Sequence, residues 1–281
     1  MVNFNGNVLQ KAENVLGFDN RGLNYGDAVF ETVRVSGSKI FFWEDHYFRL
    51  MASMRILRME IPITFTLEFL EDQVLKVINS FPNKNHSYNV KILVWRKPGG
   101  KYRPHTNDVD YLITGSFIEA TFYILNDAAY EVELFKDHYV TSGILSTLKS
   151  NNKIINVLGS IFAEENSYQN CLLLNETKMI VEALNGNLFL VSGNKIKTPP
   201  LADGCLNGIL RKQIIAVCKK IPAYTLEEVS VSPFELQKAD EMFITNVITG
   251  IQPISKYRKK EYASRVARDL LSKINVRARL I

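Results

Sequence analysis

The sequence predicts an α+β protein made of two α/β domains with mixed sheets. Segments with apolar residues at helical spacing are interspersed with short β-branched and aromatic segments, several of which follow one another as hairpins. This pattern differs from the strict alternation that is typical of a doubly wound fold. A chain of 281 residues suits one large domain or two domains of modest size. Because the pattern restarts near residue 120, we expect a small N-terminal domain over residues 1–120 and a larger one over residues 121–281.

The N-terminal part is predicted to contain two helices. The first covers residues 44–58, where Tyr47, Leu50 and Met54 follow the helical period and Glu44 suits the first turn. The second covers residues 67–78 and is closed by Pro82. Strands are expected at residues 29–35, 90–95 and 111–117, with a loop rich in Pro and Gly over residues 97–104.

The C-terminal part repeats this mixture of elements. Helices are predicted at residues 154–162, 208–219 and 263–273. Strands are predicted at residues 139–148, 171–174, 179–183, 188–192 and 241–247.

Composition and charge argue against several classes of partner. The net charge of +5 comes from 34 basic and 29 acidic residues spread along the chain, without the basic stripe of a nucleic-acid-binding protein. The densest basic segment, residues 256–260, is interpreted as a solvated turn. No segment reaches the about twenty apolar residues of a membrane helix. We therefore expect neither nucleic acid nor membrane as a partner.

Cysteine and histidine usage points to a reduced compartment without a metal centre. Cys171, Cys205 and Cys218 are an odd number and lack the spacing of metal ligands. The four histidines also lack such spacing. Since the first twenty residues do not have the pattern of a secretory signal, a cytoplasmic protein is expected.

Lys149 is the first candidate for chemistry. It ends an apolar segment and precedes a predicted helix, and a lysine in such surroundings can supply a neutral amine as a nucleophile. Taken alone, this local pattern is more typical of a surface lysine at a turn.

Three further features suit an anionic ligand with a heteroaromatic ring. Glu182 interrupts an apolar strand, and a buried carboxylate is costly unless it is paired, for example with a protonated ring nitrogen; an edge position facing solvent is the alternative. Gly208 opens a helix whose first N–H groups can bind phosphate. Arg49, off the apolar stripe of its helix, can bind phosphate through its guanidinium fork.

Read in order, these segments resemble the class IV, or fold type IV, pyridoxal-phosphate enzymes. That family includes branched-chain aminotransferases, D-amino-acid aminotransferases and aminodeoxychorismate lyases. The matching segments are residues 21–34 (RGLNYGDAVFETVR), 46–50 (HYFRL), 148–152 (LKSNN), 181–189 (VEALNGNLF), 198–201 (TPPL) with 208–211 (GILR), and 243–247 (FITNV) with 251–254 (IQPI).

The resemblance implies a D-amino-acid aminotransferase-like homodimer that binds pyridoxal 5′-phosphate mainly through the larger domain. Lys149 would be the catalytic Schiff-base lysine, and Glu182 the partner of the pyridine nitrogen. The implied phosphate ligands are Arg49, Gly208, Ile209, Leu210, Asn246 and Val247. Val247 stands where the family often has Ser or Thr, so its contact would use the backbone N–H. The implied substrate-lining residues are Tyr25, Phe30, Arg34 and Arg96.

The family resemblance leaves the reaction open. We favour an aminotransferase that moves an amino group between an amino acid, preferably branched-chain, and a 2-oxo acid, because residues 31–34 and the 96–104 loop favour it. The alternative is an aminodeoxychorismate lyase that releases pyruvate and 4-aminobenzoate, which Lys153 and the Thr245-Asn246 pair favour. A cofactor-free interaction protein is a third hypothesis, but it would leave Lys149 and Glu182 without a role.

Overall fold

The structure is a computed structural model that describes residues 1–10, 16–82 and 86–280. The described residues form two compact units. The first unit comprises Met1–Phe122 together with Lys149–Asn152, and the second comprises Tyr123–Leu148 and Lys153–Leu280. The sequence-based division would have assigned residues 149–152 to the second domain, whereas they pack with the first.

The first unit is a six-stranded sheet with two long helices on one face. Its strands are β1 (Val2–Phe4), β2 (Asn7–Leu9), β3 (Ala28–Ser36), β4 (Lys39–Ile40), β5 (Ser87–Arg96) and β6 (Val109–Ile118). Its helices are α1 (Arg21–Tyr25), α2 (Trp43–Ile56) and α3 (Leu67–Asn79). The strand order is β2-β1-β6-β5-β3-β4, and neighbouring strands run antiparallel.

The core of the first unit lies between this sheet and helices α2 and α3. Side chains alternate across a strand, and in β3 the residues Val29, Val33 and Val35 face the helices. The hydroxyl of Thr66 accepts a hydrogen bond from Phe69 N–H and so begins α3. The two predicted helices are confirmed, with small differences at their ends.

The second unit contains two five-stranded mixed sheets. Its strands are β7 (Glu131–Val140), β8 (Asn170–Asn175), β9 (Ile180–Ala183), β10 (Asn187–Ser192), β11 (Lys195–Thr198), β12 (Thr225–Glu228), β13 (Glu241–Asn246), β14 (Gly250–Ile254), β15 (Lys256–Tyr257) and β16 (Lys260–Glu261). Its helices are α4 (Ile154–Glu165), α5 (Ile209–Cys218), α6 (Pro233–Leu236) and α7 (Arg265–Leu280). The sheet orders are β12-β11-β10-β13-β14 and β16-β15-β7-β8-β9.

The main core of the second unit lies between its two sheets. In β8, Leu172 and Leu174 point into this core, while Cys171 and Leu173 pack under α4 on the other face. Since β8 is covered on both faces, its six residues are all buried. The α+β class is therefore confirmed, with the mixed sheets in the second unit and an antiparallel sheet in the first.

Two sequence-based assignments in the second unit are wrong, and the first concerns the segment before Lys149. A strand was predicted over residues 139–148, but β7 ends at Val140 and a 3₁₀ helix covers Ile144–Thr147. The apolar side chains of Ile144 and Leu145 suggested burial, yet both are about two-thirds exposed.

The second is the basic segment 256–260, where only Arg258 and Lys259 form the expected exposed turn, and the flanking residues belong to the strands of a short hairpin. Lys256 pairs with Glu131 and Arg258 with Glu133, and both acidic residues belong to β7. Tyr257 between them is buried. Those partners are distant in sequence, so the local charge pattern did not indicate them. Within the described ranges, no helix has both the length and the apolar character needed to cross a membrane.

Candidate active site

The Lys149 segment pairs with strand β3 of the first unit. Phe30 N–H donates to the carbonyl of Lys149 at 2.8 Å, and Asn151 N–H donates to the carbonyl of Ala28 at 3.1 Å. Between them, Val29 and Ser150 form an antiparallel bridge. The main chain of Lys149 is therefore held by the sheet, although the residue lies far from β3 in sequence.

The side chain of Lys149 lies on an aromatic ring of the same strand. Its Nζ is 4.1 Å from the centroid of the Phe30 ring, and Lys91 Nζ is 4.5 Å from the same centroid. A ring face attracts each ammonium group. Burial lowers the pKa of Lys91. The amino groups of Lys91 and Lys149 thus both lie close to the Phe30 ring. Lys149 itself is half-buried.

A buried ionic cluster lies on the helix side of β3. Glu31 Oε1 accepts from Arg49 Nε at 2.7 Å, and Oε2 accepts from Arg49 Nη2 at 2.6 Å. His46 Nδ1 lies 2.7 Å from the same Oε2. Burial alone would raise the pKa of Glu31, but Arg49 and then His46 outweigh this effect and lower it to about 2. The carboxylate therefore stays charged and binds two partners.

His46 is the fully buried member of this cluster. Burial lowers the pKa of its ring, against the opposing effect of Glu31, so the ring is neutral near pH 7. Because the carboxylate of Glu31 can only accept, the ring proton is assigned to Nδ1. No hydrogen-bond partner for Nε2 lies among the described residues.

In the second unit, Glu182 is held by two N–H donors. Its Oε2 accepts from the backbone N–H of Leu206 at 3.0 Å and from Asn187 Nδ2 at 3.4 Å. Asn187 Nδ2 also donates to the carbonyl of Leu206 at 2.8 Å. Glu182, on strand β9, is thereby fixed to the turn that leads into helix α5.

The same turn requires a glycine at the start of α5. A Cβ on Gly208 would overlap Asn187 Oδ1, so no larger residue fits without displacing Asn187. Within the described chain, no side chain caps this helix, whose first residues are Ile209 and Leu210. Their side chains are buried, and the first-turn N–H groups at the positive end of the helix dipole suit an anion.

The side chain of Asn246 shapes the loop after β13. Its Oδ1 accepts hydrogen bonds from the backbone N–H groups of Ile248 and Thr249, at 3.0 and 2.9 Å. The hydroxyl of Tyr123 donates to the carbonyl of Val247 at 2.7 Å. The carboxamide oxygen of Asn246 is thus used in the turn, and the backbone of Val247 is fixed from the other side.

Two of the four predicted substrate-lining residues are engaged inside the first unit. Arg96 is 6% exposed, and all five of its N–H groups have acceptors, which are Asp27, Asn107 and the carbonyls of Leu57 and Arg58. Arg34 is also buried and donates to the carbonyls of Ala120 and Phe122. These guanidiniums stabilise the unit.

The other two predicted substrate-lining residues are more accessible. Tyr25 is exposed, and its ring meets Tyr102 edge-on with the centroids 5.9 Å apart. Phe30 is half-buried under Lys149. Both therefore remain candidates for contact with a substrate.

Three residues of these clusters were not predicted from the sequence, namely Glu31, His46 and Asn187. Glu31 alternates with buried valines in β3, so it carried the same signal of a carboxylate in an apolar strand that identified Glu182. His46 lies one helical turn before Arg49, which places both on one face of α2. No comparable local signal marked Asn187.

Known proteins are similar in sequence to this chain over most of its length. A D-alanine aminotransferase of Listeria monocytogenes serotype 4b (strain F2365) is 28% identical over 262 residues, or 89% of this chain and 85% of that protein. An aminodeoxychorismate lyase of Vibrio harveyi is 24% identical over 237 residues, or 84% of each chain.

The fold is also that of a solved family structure. The branched-chain amino acid aminotransferase of Thermobaculum terrenum, solved in its PLP-form, matches with a TM-score of 0.85 at 20% identity, over 99% of this chain and 93% of that one. The expected fold type IV architecture is confirmed. A sequence model of the family described as amino-transferase class IV matches residues 28–257. The chain is therefore an enzyme that belongs to the class IV aminotransferase family.

Proposed function

We propose that this enzyme is a pyridoxal-phosphate-dependent aminotransferase that moves an amino group between an amino acid and a 2-oxo acid. The observation that carries the proposal is the anchoring of Lys149 on strand β3, with its main chain paired to Phe30 and its Nζ on the Phe30 ring. A lysine used for covalent chemistry needs a fixed origin and a defined direction for its amine. A surface lysine at a turn has neither.

The chemistry of the candidate residues fits pyridoxal phosphate. The cofactor supplies an aldehyde for Lys149 and a ring that withdraws electrons from the reacting carbon. Arg49, whose Nε and Nη2 are held by Glu31, would direct the Nη1 side of its guanidinium to the phosphate. The first turn of α5, which no side chain of the described residues caps, would offer its N–H groups. Glu182, oriented by Leu206 and Asn187, can keep a pyridine nitrogen protonated.

The residues then have distinct tasks in the reaction. Lys149 accepts and returns the proton of the substrate α-carbon as the general base and acid. Its sheet pairing limits how far the amine can move, which favours transfer to one carbon. Val247 would offer its backbone N–H to the phosphate, and the Asn246 turn would hold that N–H in place.

The 99–105 loop would offer basic side chains to the carboxylate of a substrate. Lys101, Arg103 and His105 line a pocket there together with Gly100 and Pro104. Arg21 donates to the carbonyl of Lys101 at 2.6 Å and holds the base of the loop. Basic side chains at this position suit the carboxylates of amino acids and oxo acids.

Transamination is the first choice because the 28% identical relative is an aminotransferase. A branched-chain amino acid remains the preferred substrate. Lyase activity on aminodeoxychorismate is the second candidate, and the 24% identical relative with that activity supports it. Arg96, the last residue of β5, does not distinguish the two reactions, because its guanidinium is used within the protein.

Replacement of Lys149 tests the cofactor assignment. The Lys149→Ala variant is expected to lose both turnover and the visible absorbance band that borohydride removes from the wild-type protein. The matched control is Lys153→Ala, which removes a half-buried lysine four residues later at the start of α4. A borohydride-sensitive band in Lys149→Ala, or its loss in Lys153→Ala, contradicts the assignment.

A substrate panel tests the reaction. The enzyme is incubated with D- and L-amino acids, including the branched-chain ones, plus 2-oxoglutarate, and in parallel with aminodeoxychorismate. Glutamate formation from the first set supports transamination. Release of pyruvate and 4-aminobenzoate from aminodeoxychorismate alone would make the lyase the correct function.

We also propose a homodimer located in the cytoplasm. Ile154, Val157 and Ile161 form an exposed apolar stripe along α4, and Ile144 and Leu145 are exposed on the preceding 3₁₀ helix. Exposed apolar side chains of this kind are typical of a protein interface. The cytoplasmic location remains a prediction from the three cysteines, which are buried as free thiols.

A further inference from the structure

His46 is a buried titratable group that the proposed reaction does not use. It lies in α2, is 0% exposed, and contacts Glu31 of β3 through Nδ1. The charged groups that act on it are Glu31, Arg49 of its own helix, and Lys149 of the paired segment. A polar ring buried here is costly unless it is hydrogen-bonded, and Nδ1 of His46 is the atom that has a partner.

The contact geometry links His46 to Arg49 through Glu31. Arg49 binds both oxygens of the carboxylate through Nε and Nη2, at 2.7 and 2.6 Å. A bidentate pair favours a coplanar guanidinium and carboxylate, and because it uses Nε and Nη2 the Nη1 edge of Arg49 lies on the side away from Glu31. The orientation of Arg49 therefore follows the orientation of the Glu31 carboxylate.

His46 is the second partner that determines this orientation. Its Nδ1 lies 2.7 Å from Oε2, the oxygen that also accepts from Arg49 Nη2. A carboxylate held only by Arg49 could rotate together with the guanidinium, whereas a second donor from a rigid, packed ring prevents that movement. Nε2 has no hydrogen-bond partner among the described residues, so no hydrogen bond on that side of the ring opposes this arrangement.

We propose that His46 is a positioning residue that acts through Glu31 to aim the guanidinium of Arg49 at the cofactor phosphate. This inference rests on the proposed function, in which Arg49 binds that phosphate. In this inference the Nδ1–H of the neutral ring orients Glu31, and Nε2 has no role. Loss of the Nδ1 donor weakens the binding of a phosphorylated ligand and leaves the aldehyde chemistry of Lys149 intact.

The test uses three variants that differ in where they present a donor. The amide nitrogen of Asn in His46→Asn lies near the position of Nδ1, the amide of His46→Gln lies near that of Nε2, and His46→Leu has no donor. Each full-length apoprotein is titrated with pyridoxal 5′-phosphate and with pyridoxal, which lacks the phosphate. Absorbance of the bound aldehyde gives Kd, and thermal unfolding of the apoproteins checks folding.

We expect His46→Leu and His46→Gln to raise Kd for pyridoxal phosphate about tenfold, and His46→Asn to raise it less than about threefold. Kd for pyridoxal is expected to stay the same in all three. His138→Leu, which replaces an exposed histidine of the second unit, serves as the control and should leave both values unchanged.

Three results overturn the inference. They are an unchanged Kd for pyridoxal phosphate in His46→Leu, a parallel loss for both aldehydes, and a loss in His46→Asn as large as that in His46→Leu. If His46→Leu does not fold, the comparison of His46→Asn with His46→Gln still decides. A wild-type chain that binds neither aldehyde overturns the proposed function as well, whereas normal wild-type binding confines the failure to His46.

Discussion

Phe30 and Lys149 contact each other through both main chain and side chain. The N–H of Phe30 donates to the carbonyl of Lys149 at 2.8 Å, while Lys149 Nζ lies 4.1 Å from the centroid of the Phe30 ring. One residue of β3 therefore fixes both the origin and the direction of the lysine side chain. The position of Lys149 depends in this way on a residue that is distant in sequence.

Removal of the ring should slow the reaction without unfolding the protein. In Phe30→Leu the backbone hydrogen bond remains, but the ammonium group loses a contact that contributes about 0.5–1 kcal/mol. We expect kcat/KM to fall about two- to fivefold, with a small change in Tm. Steady-state kinetics and thermal unfolding measure the two effects. Phe117→Leu, at a half-exposed position on β6, is the control, and an equal loss there would contradict the role of Phe30.

Gly208→Ala should disturb Glu182 through Asn187. The new Cβ would overlap Asn187 Oδ1, and the displaced amide would lose its contacts with Glu182 and Leu206. We expect Kd for pyridoxal phosphate to rise about tenfold or more, measured by absorbance titration. The effect should be smaller when Asn187→Ala is present, because the clash is then gone. Additive losses in the double variant would show that the clash is not the cause.

Glu31→Gln should make the free energy of unfolding less dependent on pH at acidic pH. The pKa of Glu31 is lowered from 4.5 to about 2, because its ionised form is bound by Arg49 and His46. The stabilisation is present above pH 4.5 and is lost as the pH falls towards 2, because the unfolded chain takes up its proton first. The difference in unfolding free energy between wild type and variant should shrink by roughly 3 kcal/mol over that range.

Unfolding by urea at a series of pH values between 2 and 7 measures this difference. Glu44→Gln, at an exposed position in the first turn of α2, is the control and should follow the wild-type profile. A constant difference between wild type and Glu31→Gln at all pH values would contradict the lowered pKa.

Asp27→Asn should destabilise the first unit. Asp27 Oδ2 accepts from Arg21 Nε and Arg96 Nε, each at 2.9 Å, and both arginines are buried. Removing the shared charge leaves two buried guanidiniums without their counterion, which costs about 3–5 kcal/mol. Calorimetry should therefore show a Tm lower by roughly 6–15 °C. The control is Asp72→Asn, which breaks the exposed Lys76 pair and should change stability by less than about 1 kcal/mol.

Val157→Glu should weaken the proposed dimer. Val157 is half-exposed in the centre of the apolar stripe on α4, and a carboxylate there would have to be desolvated on association. Sedimentation velocity at micromolar concentration should show monomers. Ile63→Glu replaces a fully exposed residue of the first unit outside this stripe and should leave the dimer intact. Dimers that persist in Val157→Glu would place the interface elsewhere.

Patterns among neighbouring residues were enough to predict the five longest helices and part of the candidate site. Apolar residues at helical spacing predicted α2, α3, α4, α5 and α7, because one face of each helix must be buried. A carboxylate in an apolar strand identified Glu182, and the glycine before α5 identified the helix start at Gly208. Segment order then identified the family. These are local patterns, so they can be read without coordinates.

Only the folded structure shows which of these residues contact one another. It also shows which of them have their hydrogen-bonding groups engaged within the protein. Lys149 proved to be paired with β3, since a hydrogen bond between distant backbone segments leaves no local pattern. Arg96 proved to be engaged on all its N–H groups, although its sequence context was that of a loop arginine. The roles proposed for Glu31 and His46 follow only from the buried cluster that they form with Arg49. Burial and partner choice are set by packing between segments that are far apart in the chain, and spacing along the sequence does not encode them.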